Sequence, residues 1–301
     1  MKKWLSIVLL AMLVFSLAAC GTQKDNQASD TKKETTNTKE VFKIGAIPDQ
    51  NASDLNKGMT AVANYLSEKT GMKVEFVPSV DYAALVTAFQ RGEIDMAWFG
   101  GLTSVQAVSL VPGAEAFAQR PRDAEFHSVF ITQPGSGITK LEDLKGKSFT
   151  FGSESSTSGH LMPRYYLSEA GIDANKDFDG KPNFSGSHDA TYKLVESGAF
   201  KAGALNEAVW QAAVQEKKVD TNKVKVFYTT PAFYDYNWTI NSNVDDVFGK
   251  GSKKKVEDAI LSITTKQKDI TDFFQTDKFI ETKNANYQKI KKVAKELNII
   301  K

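Results

Sequence analysis

Apolar and polar positions divide the chain into three zones. Lys2 and Lys3 precede a run from Trp4 to Leu17 that is almost wholly apolar, and Leu17-Ala18-Ala19-Cys20 closes it. A basic start, an apolar stretch too short for a comfortable membrane span and small residues before a cleavage point spell a secretory signal peptide over 1–19. "GTQKDNQASDTKKETTNTK" follows with no large apolar residue and no aromatic. It cannot bury enough surface to offset its ordering entropy, so 20–40 is expected to be a disordered tether. From Val41 onward apolar positions recur with regular periods, and a globular body is expected from there to Lys301.

Within the body the period alternates between strand and helix. "VFKIGAIP" reads as a buried strand ending at Pro48. "LNKGMTAVANYLSEKTG" places Met59, Val62, Tyr65 and Leu66 on one helical stripe, with Gly71 as its stop. "KVEFVPS", "DYAALVTAFQRGE" (capped by Asp81), "IDMAWFG", "LTSVQAVSLV" and "AEAFAQR" continue the alternation, the signature of a parallel sheet covered by helices. After a β-rich run over 125–138 the pattern restarts: "LEDLKG" helix, "KSFTFG" strand, "SGHLMPRYYLSEAG" helix, "HDATYKLVESG" helix, "FKAGAL" strand, "NEAVWQAAVQEK" helix, "VKVFYTT" strand. "YNWTINS" is expected to pass back to the first sheet, and 252–297 reads as an amphipathic helical tail. The expected fold is therefore α/β and two-lobed, with lobe 1 from 41–125 plus 237–301 and lobe 2 from 126–236. Ligands of open α/β sheets sit beyond the strands' carboxyl ends, here an interlobe cleft.

Charge narrows the partners. The chain holds 38 basic and 36 acidic side chains; without Lys2 and Lys3 the two signs balance. No basic field points to nucleic acid, so an anion must be held by local geometry. Cys20 is the only cysteine, which rules out a disulfide within the chain.

Four stretches carry candidate chemistry. "GSESSTSGHL" puts Ser156, Thr157 and Ser158 at a strand-to-helix junction, where unpaired N–H groups and hydroxyls can hold a small anion. A plain helix cap needs only one of them. "FSGSHDATYK" puts Ser187, His188 and Asp189 at another helix start, either an imidazole donor to an anion or a cap beside a solvent-facing histidine. "DMAWFGGLTS" sets Trp98 before Gly100-Gly101, as cleft wall or as core. "PAFYDYNWTI" masses Tyr234, Tyr236 and Trp238 near a crossing, to close over a ligand or to pack a hinge.

Together, the Leu-Ala-Ala-Cys ending, "DYAALVTAFQRGEIDMAWFG", "SSTSGHLMP", "GSHDATYKLVESGAFKAGAL" and "TPAFYDYNWTI" resemble the solute-binding lipoproteins of ABC importers for phosphonate, phosphite and related oxyanions. The resemblance covers nearly all of the body. It implies a type II periplasmic-binding-protein-like fold whose lobes close on an anion, with a hydroxyl grip falling on Ser156, Thr157 and Ser158. The family's histidine falls on His188, its aromatic before the glycines on Trp98 and its "DYAAL" tyrosine on Tyr82; Tyr236 joins the set. Cys20, in a lipobox-like context, is expected to carry lipid and hold the protein at the outer face of the bacterial membrane. One position departs: relatives often carry aspartate where this chain has Asn206. Asparagine offers no carboxylate to a ligand ammonium, which implies a shift away from aminoalkylphosphonates. "GALN" and "DYNWT" also resemble a branch named for selenate binding.

The implied partners are a small oxyanion, a membrane permease and a separate ATPase chain, with the protein itself a monomer. No nucleotide loop of the G-x-x-x-x-G-K-[ST] form is present in the sequence, and no cofactor or metal is expected. The competing class is a tethered enzyme acting on a small phosphorylated or ester substrate. It lacks a G-x-S-x-G elbow, and adjacent His188 and Asp189 cannot relay to each other.

Overall fold

The alternation of strand and helix periods closes into two sheets. The computed structural model describes residues 41–300; the expected signal peptide, Cys20 and the tether lie outside the described residues. β1 (Val41–Ala46) leads through Asn51 into α1 (Ala52–Thr70). Asn51 Oδ1 accepts the Ser53 N–H at 2.9 Å, and Gly71 ends the helix at φ 72°, where a side chain would be strained. β2 (Lys73–Phe76) and α2 (Tyr82–Gln90) follow, the latter capped by Asp81, whose Oδ1 accepts the Ala84 N–H at 2.7 Å. β3 (Met96–Phe99), α3 (Gly101–Leu110) and β4 (Glu115–Gln119) complete the first run.

The chain then crosses, through a 3₁₀ turn at Pro121–Ala124, into β5 (Ser128–Thr132) and β6 (Phe149–Phe151). α4 (Met162–Glu169), β7 (Asn183–Phe184), α5 (His188–Glu196), β8 (Ala202–Asn206), α6 (Glu207–Gln215) and β9 (Lys225–Thr229) build the second lobe. β10 (Asn237–Ile240) returns to the first sheet, followed by α7 (Val244–Phe248), α8 (Ser252–Leu261), α9 (Lys268–Phe274), β11 (Ile280–Glu281) and α10 (Gln288–Glu296).

The first sheet runs β11-β4-β10-β3-β1-β2 and the second β7-β6-β8-β5-β9. Neither is wholly parallel, which corrects the reading from alternation alone. β1 is parallel to β2 and β3, but β10 enters antiparallel between β3 and β4. In the second sheet β6 and β8 are parallel, while β5 runs against both β8 and β9. β5 and β10, the strands fed by the two crossings, are reversed, and so is the two-residue edge strand β11 against β4.

β7 and α7 were not anticipated, and two further segments differ from expectation. The segment Thr157–Leu161 forms a wide turn, with Leu161 N–H donating to Ser156 O at 3.0 Å and Met162 N–H to Thr157 O. Pro163 has no N–H to give Gly159 O, so an α-helix from Ser158 would lack a rung; Gly159 O takes the Gly152 N–H at 2.8 Å instead. The tail is broken by β11, a strand of two residues and too short to show a period.

Strand period sorts the second lobe's core. Phe130 faces Phe149 and Phe151, whereas its neighbours Val129 and Ile131 face Leu205 and Trp210 on the other side. The first lobe buries Phe42, Ile44, Met59, Leu66, Phe89, Phe99 and Trp238. The two crossings pair with each other: Phe126 and Phe233 exchange N–H···O bonds at 2.8 and 2.9 Å, and Asp235 N–H donates to Asp123 O at 3.0 Å.

Candidate functional site

Strand ends aim their side chains at the space between the lobes. From the first lobe come Asp49 after β1, Tyr82 at the start of α2, Trp98 on β3 and the Gly100-Gly101-Leu102 backbone at the start of α3. The second contributes Ser156–Ser158 after β6, His188 at the start of α5 and Asn206 at the end of β8. Asp235 and Tyr236 belong to the returning crossing. All of these side chains are buried.

The hydroxyl stretch faces the α3 N-terminus directly. Leu102 N–H donates to Thr157 Oγ1 at 2.9 Å across the lobes, and Gly101 N–H donates to Asp235 Oδ1 at 2.9 Å. A Cβ on Gly100 would stand 3.2 Å from Thr157 Oγ1 and 3.3 Å from Asp235 Oδ1, so glycine permits this approach. Ser156 Oγ accepts the Gly159 N–H at 2.9 Å and thus acts as the cap; Thr157 and Ser158 exceed what a cap needs. Gly159 is equally constrained, since a Cβ there would meet Ser156 Oγ at 2.9 Å and His188 Cε1 at 3.0 Å. Asp235 Oδ2 and the Tyr82 hydroxyl have no hydrogen-bond partner of good geometry, although both are buried. Thr157 and Ser158 nevertheless lie near enough to Asp235, and Ser156 to Tyr82, to favour the ionised forms.

A second, contiguous network centres on Tyr236. Its hydroxyl donates to Asp49 Oδ2 at 2.8 Å and accepts from Asn206 Nδ2 at 2.9 Å. Asn206 Oδ1 meanwhile caps α6, accepting the Val209 N–H at 3.0 Å. His188 Nδ1 accepts the Asn206 N–H at 3.3 Å, which assigns the ring proton to Nε2, 3.4 Å from the Tyr236 oxygen. His188 N–H also donates to Asp49 O at 3.0 Å, a further bond between the lobes. The histidine is therefore no solvent-facing neighbour of a cap.

The aromatics divide. Trp98 stacks on Tyr236 with centroids 5.6 Å apart and meets Trp238, Phe274 and Phe279 behind, so it is both cleft wall and core. Trp238 lies wholly in the core, and Tyr234 packs edge-on against Tyr287. Of the three aromatics in "YDYNW", only Tyr236 joins the polar network.

Burial sets the electrostatics. It pushes Asp235 up to about 7, against the pull of the Gly101 N–H and the Thr157 and Ser158 hydroxyls. Asp49 is pushed up to about 6 by burial, opposed by the Tyr236 hydrogen bond and the Arg120 charge. His188 falls to about 4 by burial, with Asp189 opposing, so the imidazole is neutral at pH 7. Tyr82 and Tyr236 rise well above the ordinary phenol range, also by burial, and stay protonated. The site thus offers neutral donors and two carboxyls able to hold a proton near neutrality. Such donors can bind an anion without an ion pair, each bond to a charged partner contributing roughly 1.5–3 kcal/mol.

A cleft of about 760 Å³ opens beside Tyr236, lined among others by Asp49, Trp98, Arg120, Asp189 and Asn206. Ser156, Thr157 and Ser158 do not line it. Asp49, Arg120 and Asp235 were not foreseen from sequence. Asp49 carried one usable signal, a carboxylate just past the carboxyl end of a strand.

Two α/β lobes joined by paired crossings, with polar groups from both strand-end rims meeting between them, define a two-lobed solute-binding protein of the type II periplasmic class. Residues 44–287 match the family of ABC transporter phosphonate periplasmic substrate-binding proteins, and the chain belongs to that family. A probable ABC transporter phosphite-binding protein from Prochlorococcus marinus (strain MIT 9301) is 41% identical over 271 residues, 87% of this chain and 91% of that protein. The 1.52 Å structure of a Prochlorococcus marinus relative in complex with methylphosphonate superposes with a TM-score of 0.84 at 40% identity, over 87% of this chain and 99% of that one. A binding protein component of an ABC phosphonate transporter from Pseudomonas aeruginosa gives a TM-score of 0.74 at 23% identity, over 84% and 85%, and speaks for the fold alone. Membership also answers the enzyme alternative: the family binds solute for a transporter rather than turning it over.

Proposed function

We propose that this chain captures a small phosphorus oxyanion, phosphite or a short phosphonate, between its lobes and delivers it to a membrane permease driven by a separate ATPase. The observation that carries the reading is the pair of buried, unpartnered groups, Tyr82 Oη and Asp235 Oδ2, beside the Ser156–Ser158 hydroxyls. Hydroxyls, the Tyr82 phenol and the neutral His188 imidazole supply donors to the anion's oxygens. Asp235, able to hold or release a proton near neutrality, suits an oxyanion that itself carries a proton; sulfate, fully ionised, offers it none. Asn206 commits its amide to Tyr236 and to the α6 cap, leaving no carboxylate at that position for a ligand ammonium. The likeness to proteins described as phosphite-binding, or solved with methylphosphonate, supports the same ligand class.

The test is a thermal-shift panel of phosphite, methylphosphonate, 2-aminoethylphosphonate, phosphate, sulfate, selenite and selenate. A ligand at a hundredfold excess over Kd stabilises by about 2.7 kcal/mol. Phosphite and methylphosphonate are expected to raise Tm most, with 2-aminoethylphosphonate weaker. Equal shifts from amino and non-amino phosphonates would sink the assignment to Asn206, a selenate-only response would move the ligand to the selenium oxyanions, and a flat panel would end the oxyanion reading.

The same proposal places the chain, as a monomer, outside the cytoplasmic membrane on a lipid carried by Cys20. The Leu-Ala-Ala-Cys context supports it. Cys20→Ala should move the protein from the membrane fraction to the soluble one; unchanged partitioning would contradict the anchor.

A further inference from the structure

We infer that Arg120 is a positioning residue for the oxyanion site: clamped by Asp123 at the hinge, its guanidinium fixes the Tyr236 ring and, through it, Asp49, Asn206 and His188. The inference rests on the proposed function and adds to it a residue that touches no part of the hydroxyl cluster.

Arg120 directly follows β4, where the first crossing begins. Its Nε and Nη2 donate to Asp123 Oδ2 and Oδ1 at 2.8 and 2.7 Å, a two-pronged grip, while Nη1 donates to Phe274 O at 3.2 Å at the end of α9. The guanidinium carbon lies 5.3 Å from the Trp98 centroid and 5.1 Å from that of Tyr236, and the two rings are 5.6 Å apart. One cation therefore lies against both stacked rings, from a mount held by Asp123 in the same crossing and by the end of α9. Asp123 O receives the Asp235 N–H, so the same mount reaches the residue beside Tyr236. A surface ion pair would not need this construction: the Arg120 and Asp123 side chains are 10% and 0% exposed. Burying a charge pair is expensive, and its retention here is explained if its charge and planar shape serve the cleft.

The charge has a target. Asp49 is faced by Tyr236 from the returning crossing, Arg120 from the start of the first crossing, Tyr82 from α2, and His188 and Asp189 from α5. Arg120 is the single cation among them. Burial and Asp189 push Asp49 towards its protonated form, while Arg120 and the Tyr236 hydroxyl oppose them. An ionised Asp49 repels a bound oxyanion, so affinity should fall as pH rises through the Asp49 midpoint. Removing the cation raises that midpoint, and the fall moves to higher pH. A merely structural arginine would leave the midpoint unchanged.

The experiment measures methylphosphonate affinity by calorimetry from pH 5 to 8.5 on the wild-type chain, R120Q/D123N, R120K and R122Q. The ligand's own titration is common to all four and cancels in the comparison. R120Q/D123N removes both buried charges and leaves neither stranded; it should bind about tenfold more weakly, with its pH midpoint displaced upwards, because the Arg120 charge acts on Asp49 more strongly than that of Asp123. R120K keeps the charge without the planar fork, so the midpoint should stay near wild type while affinity still drops severalfold. R122Q removes a cation at the hinge surface and should match wild type. Wild-type affinity and midpoint in R120Q/D123N would overturn the inference, as would wild-type affinity in R120K should the double variant fail to fold. Failure of the wild-type chain itself to bind would instead count against the proposed function.

Discussion

At the scale of the residue, the site works by keeping most of its groups neutral. His188 is buried into neutrality, and the tyrosines stay protonated. Asp235 makes the clearest test. Its folded midpoint of about 7 stands above the ordinary carboxyl value of 3.8, so its contribution to stability is fully present below the ordinary value and is lost as pH rises through 7. Asp235→Asn keeps an oxygen for the Gly101 N–H and removes the titration. Its stability relative to wild type should therefore climb between pH 4 and pH 8, by at most about 1.4 kcal/mol per pKa unit. A pH-independent difference in urea melts would contradict the assignment. This carboxyl was not legible in the sequence: "YDYNW" displays its aromatics, and nothing local tells that the aspartate between them turns to the α3 N-terminus. Ser156–Ser158 were legible because they sit where a strand period gives way to a helix, and His188 because it follows Ser187 at a helix start.

At the scale of the element, local pattern found nearly every strand and helix, and missed what depends on distant neighbours. The insertion of β10 between β3 and β4 reverses one strand in a sheet that alternation reads as parallel. The wide turn at Thr157–Leu161 follows from Pro163 and from the claim of Gly152 on the Gly159 carbonyl. That turn presents Thr157 to Leu102 in the other lobe. Thr157→Val keeps the shape and leaves the Leu102 N–H without its acceptor in the closed form, at a cost of about 1–3 kcal/mol. In an open form water can satisfy the same N–H. The variant should therefore show a larger radius of gyration by small-angle X-ray scattering than wild type, with methylphosphonate present; equal radii would show that this bond does not hold the lobes together.

At the scale of the whole molecule, the polar bonds between the lobes include Leu102 to Thr157, His188 to Asp49, the chain from Asn206 through Tyr236 to Asp49 and, at the surface, Lys218 to Asp54 at 3.4 Å. The last is exposed and is worth little. The first two border the hydroxyl cluster and the Tyr236 network, so a ligand held by both lobes favours the closed arrangement through the same groups. The hinge lies where both crossings pair, and Arg120 joins that hinge to the cleft. Composition alone pointed this way, because a chain with balanced charge must hold an anion by local donors rather than by a long-range field.

The most direct measurement is calorimetric titration of methylphosphonate into the wild-type chain and into S156A/T157V/S158A at pH 7. Wild type should bind one equivalent with micromolar affinity, about −8 kcal/mol, and the triple variant should bind at least a hundredfold more weakly while remaining folded by circular dichroism. Equal affinity in the two proteins would contradict the account, because the oxyanion would then be held somewhere other than the strand-to-helix junction at Ser156–Ser158.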